Sequence, residues 1–394
     1  MPSFNKMDNT TVVIVAKNAE ATIKDAINSA ICDNPKQKVI LVDDFSDDNT
    51  IENAESLNHK HINIIRPKIN MQEGIGNARQ TALENLTTTY GVWLDADDEF
   101  LPNRVGVMKE KLISDDLDIL FDSAVLFEGN TNEKIKDLII PQNLFQQDGE
   151  LFLFQRNFLP GPNWHFFRTA RALEVGYDKG SMIAEDHDFN LRAVVKGLKF
   201  GFSKKITYKQ KSFLTSFSRD IDKQLQRTKN AILKHDPKLI LSLLEKSVIG
   251  KETTTEIMIN FFLYRTEYES AMNLLENLDF HQVDSSIWKM NFYRGTTALL
   301  LSNTDKAKAN LIACHESKET PETLNNLGCL NLLRNESAKA KKLFEEAIKL
   351  FPDYYDAIFN LKHLDYSKIR VTRFPLRHET SRSEYFMSRQ DEKI

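Results

Sequence analysis

The apolar positions fall into two regimes along the chain. Up to about residue 217 short apolar runs alternate with helical stripes, and from about Ile221 only helical stripes remain. Val12-Val13-Ile14-Val15 and Val39-Ile40-Leu41-Val42 are unbroken β-branched and aliphatic runs, the pattern of strands covered on both faces. Ile62 to Ile65 and Gly91-Val92-Trp93-Leu94 read as two more strands. Between them Ile23, Ala26, Ile27 and Ala30 recur at i, i+3, i+4 and i+7, and Ile75, Ala78, Ala82, Leu83 and Leu86 form a second stripe. This rhythm predicts an α/β domain: a mostly parallel, Rossmann-like sheet with helices on both faces. Leu117 to Val125 and Phe200 to Tyr208 predict later strands, and Asp186 to Val195 a helix. Between lies a loop-rich stretch, Pro141 to Gly180, broken most plainly at Pro160-Gly161-Pro162. Its first part, Pro141 to Gly161, is a candidate lid.

The helical half contains a repeat. Gly295 and Gly328 are 33 residues apart, and the same offset aligns Ala307 with Ala340, Leu311 with Phe344, and Cys314 with Ala347. Together with Leu324, Leu327 and Pro352 this alternation of large and small residues resembles a tetratricopeptide array of helix pairs. Phe262 to Leu278 reads as a degenerate earlier pair and Asp356 to Leu364 as a capping helix. The expected division is residues 1–220 for the α/β domain, 221–365 for the tetratricopeptide-like helices and 366–394 for a tail. The tail carries seven basic residues against four acids, a solvated extension or a contact for an acidic lipid surface or a partner subunit.

Composition narrows the classes. A chain of 394 residues is long enough for two domains, and 41% apolar with 27% charged residues is ordinary for a globular protein. A formal net charge of −4 supplies no basic field for nucleic acid. Three cysteines, Cys32, Cys314 and Cys329, can neither build a disulfide framework nor match zinc-ligand spacing, so a reduced compartment is expected. Cys314 and Cys329 read as small core residues. No run approaches the roughly 18–20 apolar residues of a membrane-spanning helix, and Met1 to Thr10 has no secretory apolar region. A cytoplasmic protein is expected, with a peripheral place at the inner face of a membrane as the variant.

Candidate chemistry gathers at strand ends, where open α/β sheets bind ligands. Lys17-Asn18 follows the first strand, Asp43-Asp44 the second and Asp95-Ala96-Asp97-Asp98 the fourth. A strand period of two puts Asp95 and Asp97 on one side, where adjacent carboxylates repel unless a cation sits between them. A hard divalent ion, Mn²⁺ or Mg²⁺, suits such oxygen ligands and leaves coordination sites for phosphates. An Asp-x-Asp triplet alone is common by chance; its place after a buried strand gives it weight. The plainer readings are that Asp47, Asp48 and Asn49 cap a helix, that Asp98 and Glu99 begin one, and that His187 and Asp188 are exposed helix residues.

An ordered set of motifs carries a resemblance. Val13-Ile14-Val15-Ala16-Lys17-Asn18 is followed by Val42-Asp43-Asp44-Phe45-Ser46-Asp47-Asp48-Asn49-Thr50, then Gly74-Ile75-Gly76-Asn77-Ala78-Arg79. Trp93-Leu94-Asp95-Ala96-Asp97-Asp98 comes next, and later Ala184-Glu185-Asp186 running to Arg192. In this order and spacing, from about Asn9 to Phe217, the chain resembles the family 2 glycosyltransferases of GT-A fold. The resemblance implies Asp43 at the nucleotide base or ribose, with Ala16 and Asn18 lining the same pocket. It implies Arg79 near the diphosphate, Asp95 at the ribose or donor sugar, and Asp97, with Asp95, at the metal. Asp186 would be the base that deprotonates the acceptor and Glu185 would orient that acceptor, with Trp164, His165 and Arg168 shaping its pocket. Many relatives carry a late Tyr-Arg-x-His-like motif; here the segment reads Tyr208-Lys209-Gln210-Lys211, so Lys211 stands where a metal-reaching His would be and can place a cation near the diphosphate.

The implied activity is inverting, metal-dependent transfer of a hexosyl or N-acetylhexosaminyl group from a nucleotide-sugar, a UDP-sugar on family grounds, to a saccharide hydroxyl in surface glycan assembly. Two alternatives remain: a protein or peptide acceptor held by the helical repeats, and an inactive adaptor that binds partners, or another copy of itself, through those repeats.

Overall fold

The computed structural model describes residues 9–66, 73–159, 165–179, 185–213, 221–277, 287–364 and 368–377. The chain divides into two compact units, Met1–Ile249 and Gly250–Ile394.

In the first unit β1 (Thr10–Ala16) is flanked by β2 (Lys38–Asp43) and, after β3 (Ile62–Ile65), by β4 (Tyr90–Asp95), all four strands running parallel. Val12, Val13, Ile14, Leu41, Val92 and Leu94 are at most 1% exposed, which explains the continuous apolar runs. The helices α1 (Ile23–Ile31), α2 (Thr50–Glu55) and α3 (Ile75–Glu84) connect these strands. The register matters more than the strands themselves. Ala16 pairs with Asp43 and Val15 with Asp95, so three polar strand ends meet at one sheet edge.

Past β4 the sheet becomes mixed. The two-residue β5 (Glu99–Phe100), α4 (Arg104–Ser114), β6 (Ile119–Glu128), β7 (Lys134–Leu138), β8 (Phe166–Arg168), α5 (Thr169–Val175), α6 (Glu185–Val195) and β9 (Phe200–Ser212) follow. The strand order is β3-β2-β1-β4-β8-β6-β9-β5, with β7 on β6. β8 runs antiparallel to β4, an element the loop-rich sequence did not suggest. The expected lid also differs: residues 142–145 and 149–154 form 3₁₀ turns, and Leu144, Leu151, Phe152, Leu153 and Phe154 are buried. Four consecutive apolar side chains taken out of water hold this segment down, so as far as residue 159 it packs as core rather than as a free flap.

α7 (Ile221–Leu233) and α8 (Pro237–Lys246) close this unit, so the division falls after Ile249 rather than at residue 220. Lys234, just past α7, lies 2.7 Å from Asp178 and 3.0 Å from Asp188.

In the second unit the described residues form the helices α9 (Lys251–Arg265), α10 (Tyr268–Glu276), α11 (Ile287–Leu300), α12 (Thr304–Ser317), α13 (Pro321–Leu333), α14 (Ser337–Leu350) and α15 (Tyr355–His363). The 33-residue offset has a packing cause. A Cβ built on Gly295 would stand 2.7 Å from Leu311, and one on Gly328 2.4 Å from Phe344. In each pair a glycine on the first helix admits a large side chain from the second, so α11 with α12 and α13 with α14 cross in the same way. Cys314 and Cys329 are fully buried in this core, as expected. Part of the expected tail is not solvated: residues 368–377 return to the helices, while residues 378–394 lie outside the described set.

Candidate functional site

The loop after β2 is built by side chains from the loop after β1. The Asp44 amide donates to the Ala16 carbonyl (2.7 Å), and the Asn18 amide to Ser46 Oγ (3.0 Å). Asn18 Oδ1 accepts from the Asp47 amide, and Asp43 Oδ1 accepts from the Ser46 amide (3.1 Å). Phe45 is held at φ +61 within this turn, a conformation a bulky residue adopts only when its surroundings impose it. Ala16, Asn18 and Asp43 therefore stand together at this edge. At the start of α2, Asp48 Oδ1 accepts from the Thr50 amide (2.9 Å), while the N-cap residue Asn49 bonds Glu20. Across the edge, Gly74 at φ +142 donates its amide to Asp44 Oδ1 (2.9 Å) and brings α3 to the same corner.

Asp95, Asp97 and Asp98 crowd the end of β4. Burial, followed by the charge of Asp95, pushes the Asp97 carboxyl up to about 6. Burial, then Asp97 and Asp95, raises Asp98 well above the usual carboxylate range. Asp98 does not begin a helix, since α4 starts only at Arg104. It is 2% exposed, accepting from the Tyr208 hydroxyl (2.8 Å) and the Lys211 amide (2.8 Å), while the Tyr208 oxygen accepts from the Asp95 amide (3.1 Å). Glu99 lies in β5 and pairs with Lys209 (3.1 Å) and Lys211 (2.5 Å). Lys211 also lies 3.7 Å from Asp25, so its ammonium is paired with carboxylates while its charge still lowers the Asp97 pKa.

Arg79, on α3, is 2% exposed. Its Nε donates to Glu185 Oε1 (3.0 Å), and a terminal nitrogen reaches Asp95 Oδ1 (3.4 Å). The guanidinium lies 5.2 Å from the Trp93 ring centroid. One fork thus ties the end of β4 to the start of α6. Burial, partly offset by Arg79 and reinforced by the Asp186 charge, raises Glu185 to about 7. Asp95 is raised in the same sense, with burial outweighing the Arg79 charge. Asp186, half-buried, acts electrostatically on both.

Of the other expected acceptor residues, His165 and Arg168 are placed differently. Trp164 lies outside the described residues. His165 is 1% exposed, packed on Phe189 (5.5 Å, 12° between planes) and Phe121 (5.1 Å). Burial, then the Arg79 and Arg104 charges, lowers it to about 3, so it is a neutral member of an aromatic core with no face for an acceptor. Arg168 is at the wrong end of the sheet. Antiparallel pairing sets Arg168 opposite Tyr90, at the start of β4, while Asp95 is at its end. Arg168 instead donates to the Leu117 carbonyl (2.7 Å). His187 and Asp188 are each 2% exposed rather than on the surface; Asp188 receives Arg192 (2.8 Å), which also donates to the Val175 and Gly176 carbonyls. Tyr208 and Asp98 are the site-building residues that sequence reasoning undervalued. The signal was a tyrosine at the end of the strand-like stretch Phe200 to Tyr208, whose partner lies 110 positions earlier.

The carboxylates fit a divalent cation. Asp95 raises the pKa of Asp97, and Asp97 and Asp95 raise that of Asp98, the electrostatic demand a hard cation relieves. Among the described residues no three Asp, Glu, His or Cys side chains converge into a closed cage. A metal there would be held by Asp97, supported by Asp95, and would complete its shell with phosphate oxygens and water.

Residues 11–174 match the family model "Glycosyl transferase family 2". The cholesterol galactosyltransferase of Borreliella burgdorferi is 27% identical over 217 residues, 52% of this chain and 57% of that protein. The uncharacterized glycosyltransferase YibD of Escherichia coli is 27% identical over 167 residues, 42% of this chain and 44% of that protein. The chain thus spans about half the length of the curated relatives it matches. The crystal structure of S. aureus TarS 1–349 is similar at a TM-score of 0.49 and 16% identity, over 78% of this chain and 90% of that one. No described helix is long and apolar enough to cross a membrane. Matched motifs, parallel strand ends and clustered carboxylates agree with the family 2 glycosyl transferase model over residues 11–174.

Proposed function

We propose that the first unit transfers a sugar from a nucleotide-sugar, a UDP-sugar by family resemblance, to a hydroxyl of a saccharide acceptor, with inversion at the anomeric carbon. The observation that carries this reading is the Arg79 fork, which joins the donor-side Asp95 to the acceptor-side Glu185 in one site. The acceptor oxygen forms a bond to the anomeric carbon as the bond to the diphosphate oxygen breaks. Asp186 takes the hydroxyl proton, and Glu185, fixed by Arg79, orients the acceptor. Direct attack with a single base inverts the configuration. Asp43, with Ala16 and Asn18, receives the nucleoside. Mn²⁺ or Mg²⁺ at Asp97, when bound, supplies charge to the departing diphosphate. Lys211 adds a fixed positive charge nearby.

The test is nucleotide-sugar turnover across a donor panel with Mn²⁺. Wild type is expected to hydrolyse or transfer one donor, and Asp97→Ala and Asp186→Asn to lose about a hundredfold or more of that rate. Absence of turnover with every donor would leave the adaptor reading.

A further inference from the structure

The helical unit buries a polar face, and the chain's own residues 368–377 lie on it. Asn260, Tyr293, Asn326 and Asn360 occupy one repeated position, at intervals of 33, 33 and 34 residues, on α9, α11, α13 and α15. Two of them grip the same peptide in the same way. Asn326 accepts the Thr372 amide (2.8 Å) and donates to the Thr372 carbonyl (2.8 Å). Asn360 accepts the Arg370 amide (2.8 Å) and donates to the Arg370 carbonyl (2.9 Å). Asn325 adds a bond to the Arg370 carbonyl (3.0 Å). A residue spacing of two is that of an extended chain, whose alternate residues face one side.

Side chains supply the selectivity. Asp356, 2% exposed, accepts from Arg370 (3.1 Å), the Thr372 hydroxyl (2.7 Å) and Arg377 (2.8 Å). Burial works against its charge, and Arg377 and Arg370 outweigh that cost and keep it ionised. Phe374 lies 4.4 Å from the Tyr264 ring, and Arg370 stacks over Tyr355 (4.6 Å). Asparagines that meet another segment's backbone from one repeated position make a face that reads peptide amides, because backbone bonds tolerate many sequences while a few pockets choose among them.

We infer that this face is a binding site for an extended basic peptide of pattern Arg-x-Thr-x-Phe-x-x-Arg, occupied in cis by residues 370–377 and open to the same pattern on a partner polypeptide. The cis segment competes at the high effective concentration of a short tether, so an outside peptide gains access only when the tethered one is weakened. The inference is independent of the sugar chemistry of the first unit.

The test uses the full chain carrying Thr372→Pro and Arg377→Glu, which remove the Thr372 amide and hydroxyl donors and reverse one charge but leave the face intact. The probe is a fluorescently labelled synthetic peptide of residues 368–377. Saturable binding by anisotropy, at least about tenfold tighter to this variant than to wild type, is expected. Asn326→Ala or Asn360→Ala added to it should weaken binding about tenfold. A scrambled peptide of the same composition should bind at least about tenfold more weakly. No binding to a variant that keeps its helical circular dichroism would overturn the inference. Loss of the helical fold in that variant would overturn it too, since the segment would then be part of the core. Equal binding of the scrambled peptide would sink the assigned pattern.

Discussion

The Tyr208 hydroxyl sits between Asp95 and Asp98, accepting from the Asp95 amide at 3.1 Å and donating to Asp98 Oδ2 at 2.8 Å. One buried phenol therefore shapes the turn that carries Asp97. Burial and then the Asp98 and Asp95 charges raise its pKa well above the ordinary value, so it remains a donor throughout the working range. Tyr208→Phe orphans both partners at once. We expect a stability loss of about 1–3 kcal/mol by urea denaturation, and a weaker apparent Mn²⁺ requirement curve in turnover assays. Wild-type stability and metal dependence in this variant would remove Tyr208 from the positioning of the turn.

Arg79 answers two carboxylates from a buried position. Arg79→Met would leave Glu185 and Asp95 without their cation, a cost of about 3–5 kcal/mol for a broken buried pair. Arg79→Lys keeps the charge but loses the fork, so it should retain more stability than Met and still lose turnover. Equal turnover in Arg79→Lys and wild type would contradict the fork's role.

The pH dependence has a definite sign. Glu185 is raised from 4.5 to about 7, so it binds its proton more tightly folded than unfolded. Its contribution is complete below pH 4.5 and fades as pH rises through about 7. Thermal melts between pH 5 and pH 8 should show stability falling with pH, by up to a few kcal/mol. Glu185→Gln should flatten that slope; an unchanged slope would assign it to other groups.

Metal and nucleotide should stabilise together. Mn²⁺ with UDP, at about a hundred times its dissociation constant, should add about 3 kcal/mol to the native state. Asp97→Ala should abolish the metal-dependent part of that shift while leaving the unliganded melting temperature within a few degrees. The measurement is differential scanning fluorimetry with and without EDTA.

Gly328 admits Phe344 where a Cβ would stand 2.4 Å from the ring. Gly328→Val should therefore overpack the α13–α14 crossing and cost about 1–3 kcal/mol. Circular dichroism melts of the full chain would detect it, and tolerance of valine there would refute the crossing geometry.

Which parts could be read in advance follows from the range of the forces involved. Buried parallel strands must be apolar along their whole length, and they end where polar residues begin. Asp43, Asp95 and Asp97 were therefore legible as strand-end acids, and chain polarity placed them at one edge. The glycines at 295 and 328 were legible because one crossing repeats at a fixed interval. What bonds each acid was not legible. Glu185 meets Arg79 across 106 positions and Tyr208 meets Asp98 across 110. Three-residue β8 carries no periodicity that tells its direction, and its antiparallel pairing is what sends Arg168 to the far end of β4 and seals His165 among aromatic rings. The tail misled for a related reason. Residues 368–377 look solvated because they are charged and aperiodic, and they are ordered only because the asparagines and the buried Asp356 on α13 and α15 satisfy their backbone and charges. Local pattern reports burial and secondary structure; it does not report which distant group will answer a buried charge.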